Sequence, residues 1–144
     1  LFNIILLRHV RTYVGGVIVD SIGVLFGDSA YMFSTISDYK PIPSGATAIL
    51  DESTAQIRTF DSTGNHNMTF GRFGDGPGEF QMPSKFVQLR NNYWVVTDML
   101  TGFINTYDST GKYINRWNIG NSGISSVTVL EIEPLDDSIF VSYN

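Results

Sequence analysis

The side chains of this sequence that could do chemistry gather around one stretch, GRFGDGPGEFQMPS, residues 71–84. Its glycines at 71, 74, 76 and 78 are interspersed with Arg72, Asp75, Pro77 and Glu79. Glycine-rich loops cradle phosphates when they open a helix and are followed by a lysine, in the pattern G-x-x-x-x-G-K-[ST]. Counted from Gly71, Pro77 stands where that lysine is required, and no helical periodicity follows. The dinucleotide pattern G-x-G-x-x-G fares no better, because GDGPGE puts Glu79 in place of the third glycine. The residues suit a turn instead. Glycines permit positive φ angles, Pro77 stiffens the loop, and Phe80 is placed to plug a seam beyond it.

Acidic residues are the second candidate chemistry. Asp51 and Asp98 recur at matching positions, and Asp28, Asp75 and Glu79 lie in the loops that would share a rim with them. Hard cations such as calcium take oxygen ligands of this kind. There is no D-x-D-x-D-G loop, however, and Asn144 stands one position before the place of a third recurring aspartate (98 + 47 = 145). The competing expectation is that Asp51 and Asp98 accept hydrogen bonds from their own turns, and it is the favoured one. Arg72 and Lys85 flank the glycine loop and could meet an anionic ligand or pair with nearby acids. The ligand-binding candidates are therefore Asp51, Arg72, Asp75, Glu79, Lys85 and Asp98, with no catalytic residue and no metal ligand assigned. His9 and His66 lie in unrelated positions, and no G-x-S-x-G elbow occurs. Asn67-Met68-Thr69 is a glycosylation sequon, and Trp94 and Trp117 read as core and inter-sheet packing.

Composition narrows the class. A net charge of -5 without any cluster of Lys or Arg argues against a nucleic-acid-binding face. The absence of cysteine excludes disulfides, thiolate nucleophiles and cysteine-ligated zinc. No apolar run approaches the roughly 18 residues of a membrane-spanning helix. LFNIILL at the start lacks the preceding basic residues of a signal peptide, and the leading Leu suggests a piece of something longer. Charged residues are only 16%, which fits a β-rich surface built on Ser, Thr, Asn and Gly.

The elements that must position these side chains repeat. IRTFDSTG at 57–64 returns as INTYDSTG at 104–111, an offset of 104 − 57 = 47. The same offset aligns Phe-Gly-Asp at 26–28 with Phe-Gly-Asp at 73–75, Phe33 with Phe80, Ser37 with Ser84 and Asp51 with Asp98. Across 26–64 and 73–111, 13 of 39 positions are identical without a gap, far above the roughly one in sixteen expected by chance. Within one repeat the segments 85–89, 93–97, 103–107 and 112–119 are short, β-branched and aromatic, and separated by turn residues. NN at 91–92 and DSTG at 108–111 are hairpin turns. In DSTG the aspartate caps the turn and the glycine takes the left-handed position. No segment calls for a helix. Four short strands at a period between 40 and 50 residues describe the blade of a β-propeller.

The run GRFGDGPGEFQMP, then YWVVTD, then FINTYDSTGKYINRW, resembles the blade pattern of NHL-type six-bladed propellers, and most of all a bacterial group of exported "6-bladed beta-propeller" proteins. The resemblance implies an all-β fold in which the glycine segment links the outer strand of one blade to the inner strand of the next. It also implies a periplasmic or extracellular location. Such propellers serve as binding scaffolds, and some are lyases or lactonases that hold a metal in the central channel with His, Glu, Asp or Asn. This chain shows no matching cluster. Placed by the offset, 1–27 would supply the outer strands of a blade, 28–72 and 73–119 two blades, and 120–144 the inner strands of another. That gives about three blade equivalents. The expected function is a binding or scaffolding module using the rim of inter-blade loops. It would have a protein partner or self-associate, with two copies completing a six-bladed ring, and would have no cofactor unless calcium binds. Two alternatives are a fragment of a propeller enzyme and a structural protein assembled by strand exchange.

Overall fold

The structure is a computed structural model that describes residues 10–14, 17–24, 26–118, 129–135 and 138–143. His9, Asn144 and the linking segment 119–127 lie outside the described residues. Twelve strands are present among the described residues. β1 (Val10–Val14) and β2 (Val17–Ile22) pair antiparallel. β3 (Ile36–Pro41), β4 (Thr47–Asp51), β5 (Gln56–Phe60) and β6 (His66–Phe70) form a four-stranded antiparallel sheet in chain order. β7 (Pro83–Gln88), β8 (Trp94–Asp98), β9 (Phe103–Tyr107) and β10 (Tyr113–Asn118) form a second. β11 (Val129–Leu135) and β12 (Ser138–Tyr143) pair antiparallel.

The 47-residue repeat is a repeat of backbone conformation. Positive φ falls at Gly27 and Gly74, Gly45 and Asn92, Ala55 and Gly102, and Gly64 and Gly111, each pair separated by 47. The conformation is thus kept where the residue type is not. Asp61 and Asp108 cap their turns as expected. Each carboxylate accepts from the backbone N–H two residues on (2.8 Å in both) and from the hydroxyl of the same threonine. The first strand of each four-stranded sheet carries a register shift at the same place, Ser37 in β3 and Ser84 in β7. Such bulges increase the local twist.

The central strands are buried on both faces, because each sheet is covered twice. One core joins the two sheets. Leu50 and Ile57 from the first meet Phe86, Trp94, Val96 and Tyr107 from the second, with Phe70 and Phe80 between them. Phe70 lies 5.5 Å from Trp94 and 5.0 Å from Tyr107, and Phe80 lies 5.9 Å from Tyr107, between ring centroids. The outer face of the first sheet packs Ile49 and Phe60 against Phe33 and Ile22, and that of the second gathers Val87, Val95 and Ile104. Phe80 is fully enclosed, as a plug should be. Its burial contributes about 1.5–3 kcal/mol by area transfer alone.

Two expectations need correcting. Trp117 does not pack in a core. It sits 54% exposed on β10, beside exposed Ile114. β10 is the last strand of its sheet and bonds only β9, so much of its surface stays in solvent. And the described residues include one short helical element, a 3-10 turn at Ser29–Tyr31, where Asp28 accepts from the Ala30 N–H at 2.9 Å. An aspartate followed by Ser-Ala-Tyr has the capping chemistry and side chains that such a turn needs.

Candidate functional site

The two ends of the sheets differ in what they carry. At one end lie the hairpins β3–β4, β5–β6, β7–β8 and β9–β10. At the other lie the loops that leave β4 and β8 together with the loops that enter β3 and β7. The aspartates prove the second grouping. Asp98, buried at the end of β8, accepts from the N–H groups of Leu100 (3.0 Å) and Thr101 (3.1 Å) in its own turn. It also accepts from Gln81 (2.7 Å) and Met82 (3.3 Å) in the blade-linking loop. Asp51 repeats the arrangement, accepting from Ser53 N–H and the N–H groups of Ser34 and Thr35, each at 3.2 Å, and from Ser53 Oγ at 2.7 Å. Each carboxylate therefore ties its own turn to the entry of the preceding strand. Both are enclosed and occupied by internal donors, so their chemistry is structural.

Arg58 adds a charge beneath Asp51. It is buried, lies 3.6 Å from the Asp51 carboxylate, donates to the Met32 carbonyl at 2.5 Å and rests over the Phe33 ring at 5.0 Å. Burial pulls its pKa down, and Asp51 opposes that shift. Asn105 holds the equivalent place in the second sheet, buried, with its Oδ1 unpartnered.

The glycine loop does cradle an anion, and the anion is the protein's own. Glu79 turns back into the loop, accepting from the Gly76 N–H at 2.8 Å and from Arg72 Nε at 2.6 Å, with Arg72 Nη2 at 2.5 Å. The Gly76 N–H first, and then Arg72, hold its carboxyl below the usual range. A Cβ on Gly74 would come within 2.0 Å of Glu79 Oε2, and one on Gly76 within 2.9 Å. These glycines thus make room for a side chain rather than for a phosphate. Asp75 is exposed and accepts from the Gln81 amide. Lys85 lies apart from this group on β7, 4.0 Å from Asp38 of β3. Burial raises the Asp38 pKa, while the Phe86 N–H and then Lys85 oppose the rise. The six candidate residues therefore divide into three exposed or half-buried members of one loop, two buried clasps and one residue paired across the inner strands. No cluster of three or more His, Cys, Asp or Glu that could hold a metal exists among the described residues. His66 is engaged with Thr69 Oγ1 at 2.8 Å.

The same rim carries apolar residues that lie outside the sequence-derived candidates. Phe26 is 81% exposed and Phe73 71%, at equivalent positions in successive linking loops, while Leu100 projects from the turn after β8. The signal was present in the sequence. Each linking loop holds two phenylalanines seven apart, 26 and 33, then 73 and 80, and one plug per seam leaves the other outside.

Residues 32–133 match the family described as 6-bladed beta-propeller. The chain belongs to that family. Among solved structures, this propeller chain is similar to a "Putative exported protein" from Bacteroides fragilis NCTC 9343, with a TM-score of 0.57 at 18% identity over 78% of this chain. At that identity the likeness concerns the fold. The chain spans 28% of the length of that protein. No curated protein matches it. Among the described residues, no helix of the propeller is long and apolar enough to cross a membrane.

Proposed function

We propose that this chain is a non-catalytic binding module whose rim of linking loops receives a protein partner. One observation carries the reading: Phe26 and Phe73 stand in solvent at the same position of successive repeats. An exposed phenyl ring forgoes about 1.5–3 kcal/mol of burial, and aromatic residues are enriched in the buried centres of protein interfaces. Exposed Leu100 extends the apolar surface, and Arg72 and Asp75 give it a polar border. Arg72 is the best placed of the charged residues, since its Nη2 lies beside Glu79 while most of the side chain is in solvent. In this proposal 28–72 and 73–119 are two NHL-like blades, with 1–27 and 120–144 as outer and inner halves of others. It also places the protein outside the cytoplasm, by analogy with the exported neighbour.

The test is affinity capture from the periplasmic and surface fraction of the source bacterium, with the unaltered protein and a Phe26→Ser, Phe73→Ser variant. Loss of a captured protein from the variant, with thermal stability unchanged, supports the reading. Capture that is indifferent to both substitutions ends it.

Self-association is a second reading. In the described structure β1 and β12 each pair with one neighbour only. Unpaired strand edges recruit further strands. Apposition of β12 with β1 of a second copy would complete a four-stranded sheet. Light scattering that returns only the 16.0 kDa monomer at high concentration excludes this.

A further inference from the structure

At the hairpin end, opposite the linking loops, the seam between the two sheets opens into a cleft of about 170 Å³. Both sheets contribute to its walls. Thr59 and Asn67 come from β5 and β6, Gln88 and Trp94 from β7 and β8, Asn92 from the hairpin between them, and Ser109 from the turn before β10. Among the described residues, no ionisable side chain lines it. Its polar groups are primary amides, hydroxyls and one indole N–H, and each amide or hydroxyl can both donate and accept. Two lining residues are left unsatisfied within the protein. Trp94 and Thr59 are each only 2% exposed, and among the described residues neither Trp94 Nε1 nor Thr59 Oγ1 has a hydrogen-bond partner. Six buried side-chain polar atoms among the described residues are orphaned in this way, and these two are the ones whose residues line the cleft. Both sit just behind its wall, where a small shift would bring them to a bound hydroxyl.

We propose that this cleft binds a neutral, hydroxyl-rich ligand the size of one sugar ring. Charge selects against ions, because a charged ligand would find no counter-charge in the walls. The cleft is open to solvent on one side, and its volume is enough to seat one sugar ring while any remainder of the ligand stays outside. Vicinal hydroxyls supply acceptors for the indole N–H and both donors and acceptors for the amides. The site lies at the start of β8, whereas the Asp98 clasp lies at its end, about 13 Å away at strand rise. It is therefore independent of the partner-binding rim.

Trp94 is a built-in reporter. The chain has two tryptophans, so Trp117→Phe leaves Trp94 as the sole emitter. The full chain carrying Trp117→Phe is titrated with glucose, galactose, mannose, xylose and N-acetylglucosamine. The expected result is a saturable shift in emission for at least one sugar, with a Kd of about 0.1–10 mM for a ligand of this size. Thr59→Val keeps shape while removing the hydroxyl, and should weaken binding roughly two- to tenfold. Asn67→Ala, on the exposed side of β6, should do the same without touching the core. No saturable change up to about 50 mM for any sugar, a range set by that affinity scale, overturns the proposal. So does a change that both substitutions leave intact, which would mark a solvent effect on the indole. Should Thr59→Val fail to fold, Asn67→Ala alone decides.

Discussion

The two linking loops, 26–35 and 73–82, occupy the same place in successive repeats and close in different ways. Both open with Phe-Gly-Asp, both bury a second phenylalanine, and both end on an aspartate clasp. Between those points the first loop makes a 3-10 turn, and its Met32 carbonyl accepts from Arg58, which rises from β5. The second holds Glu79 at the position of Met32 and supplies its own arginine, Arg72, from within the loop. One arginine is buried under the rim and the other is displayed on it. The repeat therefore conserves entry, plug and exit, and leaves the span between them free to be solved by internal packing or by a surface ion pair.

Removing the clasps should break the comparison most sharply. Asp51→Ala strands Arg58 without its counter-charge, and should cost about 3–5 kcal/mol. Asp98→Ala strands only backbone donors, because Asn105 is neutral, and should cost about 2–3 kcal/mol. Urea denaturation of both variants measures the difference, and equal losses would show that Arg58 contributes nothing distinct.

The paired glycines come next. Gly27 and Gly74 share positive φ, at 134° and 154°, but a Cβ on Gly27 meets nothing closer than Val24 at 4.0 Å, whereas on Gly74 it collides with Glu79. Gly27→Ala should therefore cost about 1 kcal/mol, the backbone term alone. Gly74→Ala should cost about 2–3 kcal/mol, strain and displacement together. Repeating Gly74→Ala in a Glu79→Ala background should bring its cost down to that of Gly27→Ala, read by thermal melting.

The smallest expected effect is on acid sensitivity. Thr63 and Asn65 hold the Asp61 carboxyl at about 2, below the ordinary carboxylate range. Asp108 is lowered in the same way, by Thr110 first. A carboxyl depressed in the folded state binds protons more readily when unfolded. Its contribution is thus complete above the unfolded value and fades as pH falls from about 5 toward 2. Asp38 runs the other way, since burial raises its pKa, so its contribution is lost as pH rises through the folded value. Asp61→Asn should flatten the fall in melting temperature between pH 5 and 3, and a profile unchanged from the parent would show that this turn does not couple to folding.

Much of this was legible in the sequence because it is local or periodic. The DSTG turns, the strand segments, the plug at Phe80 and the pairing of Asp51 with Asp98 follow from spacing and turn chemistry. Three features were not legible, each for a tertiary reason. The return of Glu79 into its loop depends on how Gly74 and Gly76 fold, and type alone leaves a glutamate facing solvent. Arg58 reads as an ordinary strand residue, since its repeat partner is Asn105 and nothing in QIRTF marks it as enclosed. Trp117 reads as core by hydrophobicity, but its strand is the last of its sheet.

The contact between Lys85 and Asp38 bears on how the blades find their order. These residues are the same position of the repeat, 38 + 47 = 85, on neighbouring inner strands, and they carry opposite signs. Tandem units descended from one sequence are interchangeable in principle, and a chain made of them can close out of sequence. Opposite charges at this shared position give these two adjacent units unlike labels. Two aspartates or two lysines brought side by side would repel, so a swapped arrangement would announce itself electrostatically before the aromatic seam could close.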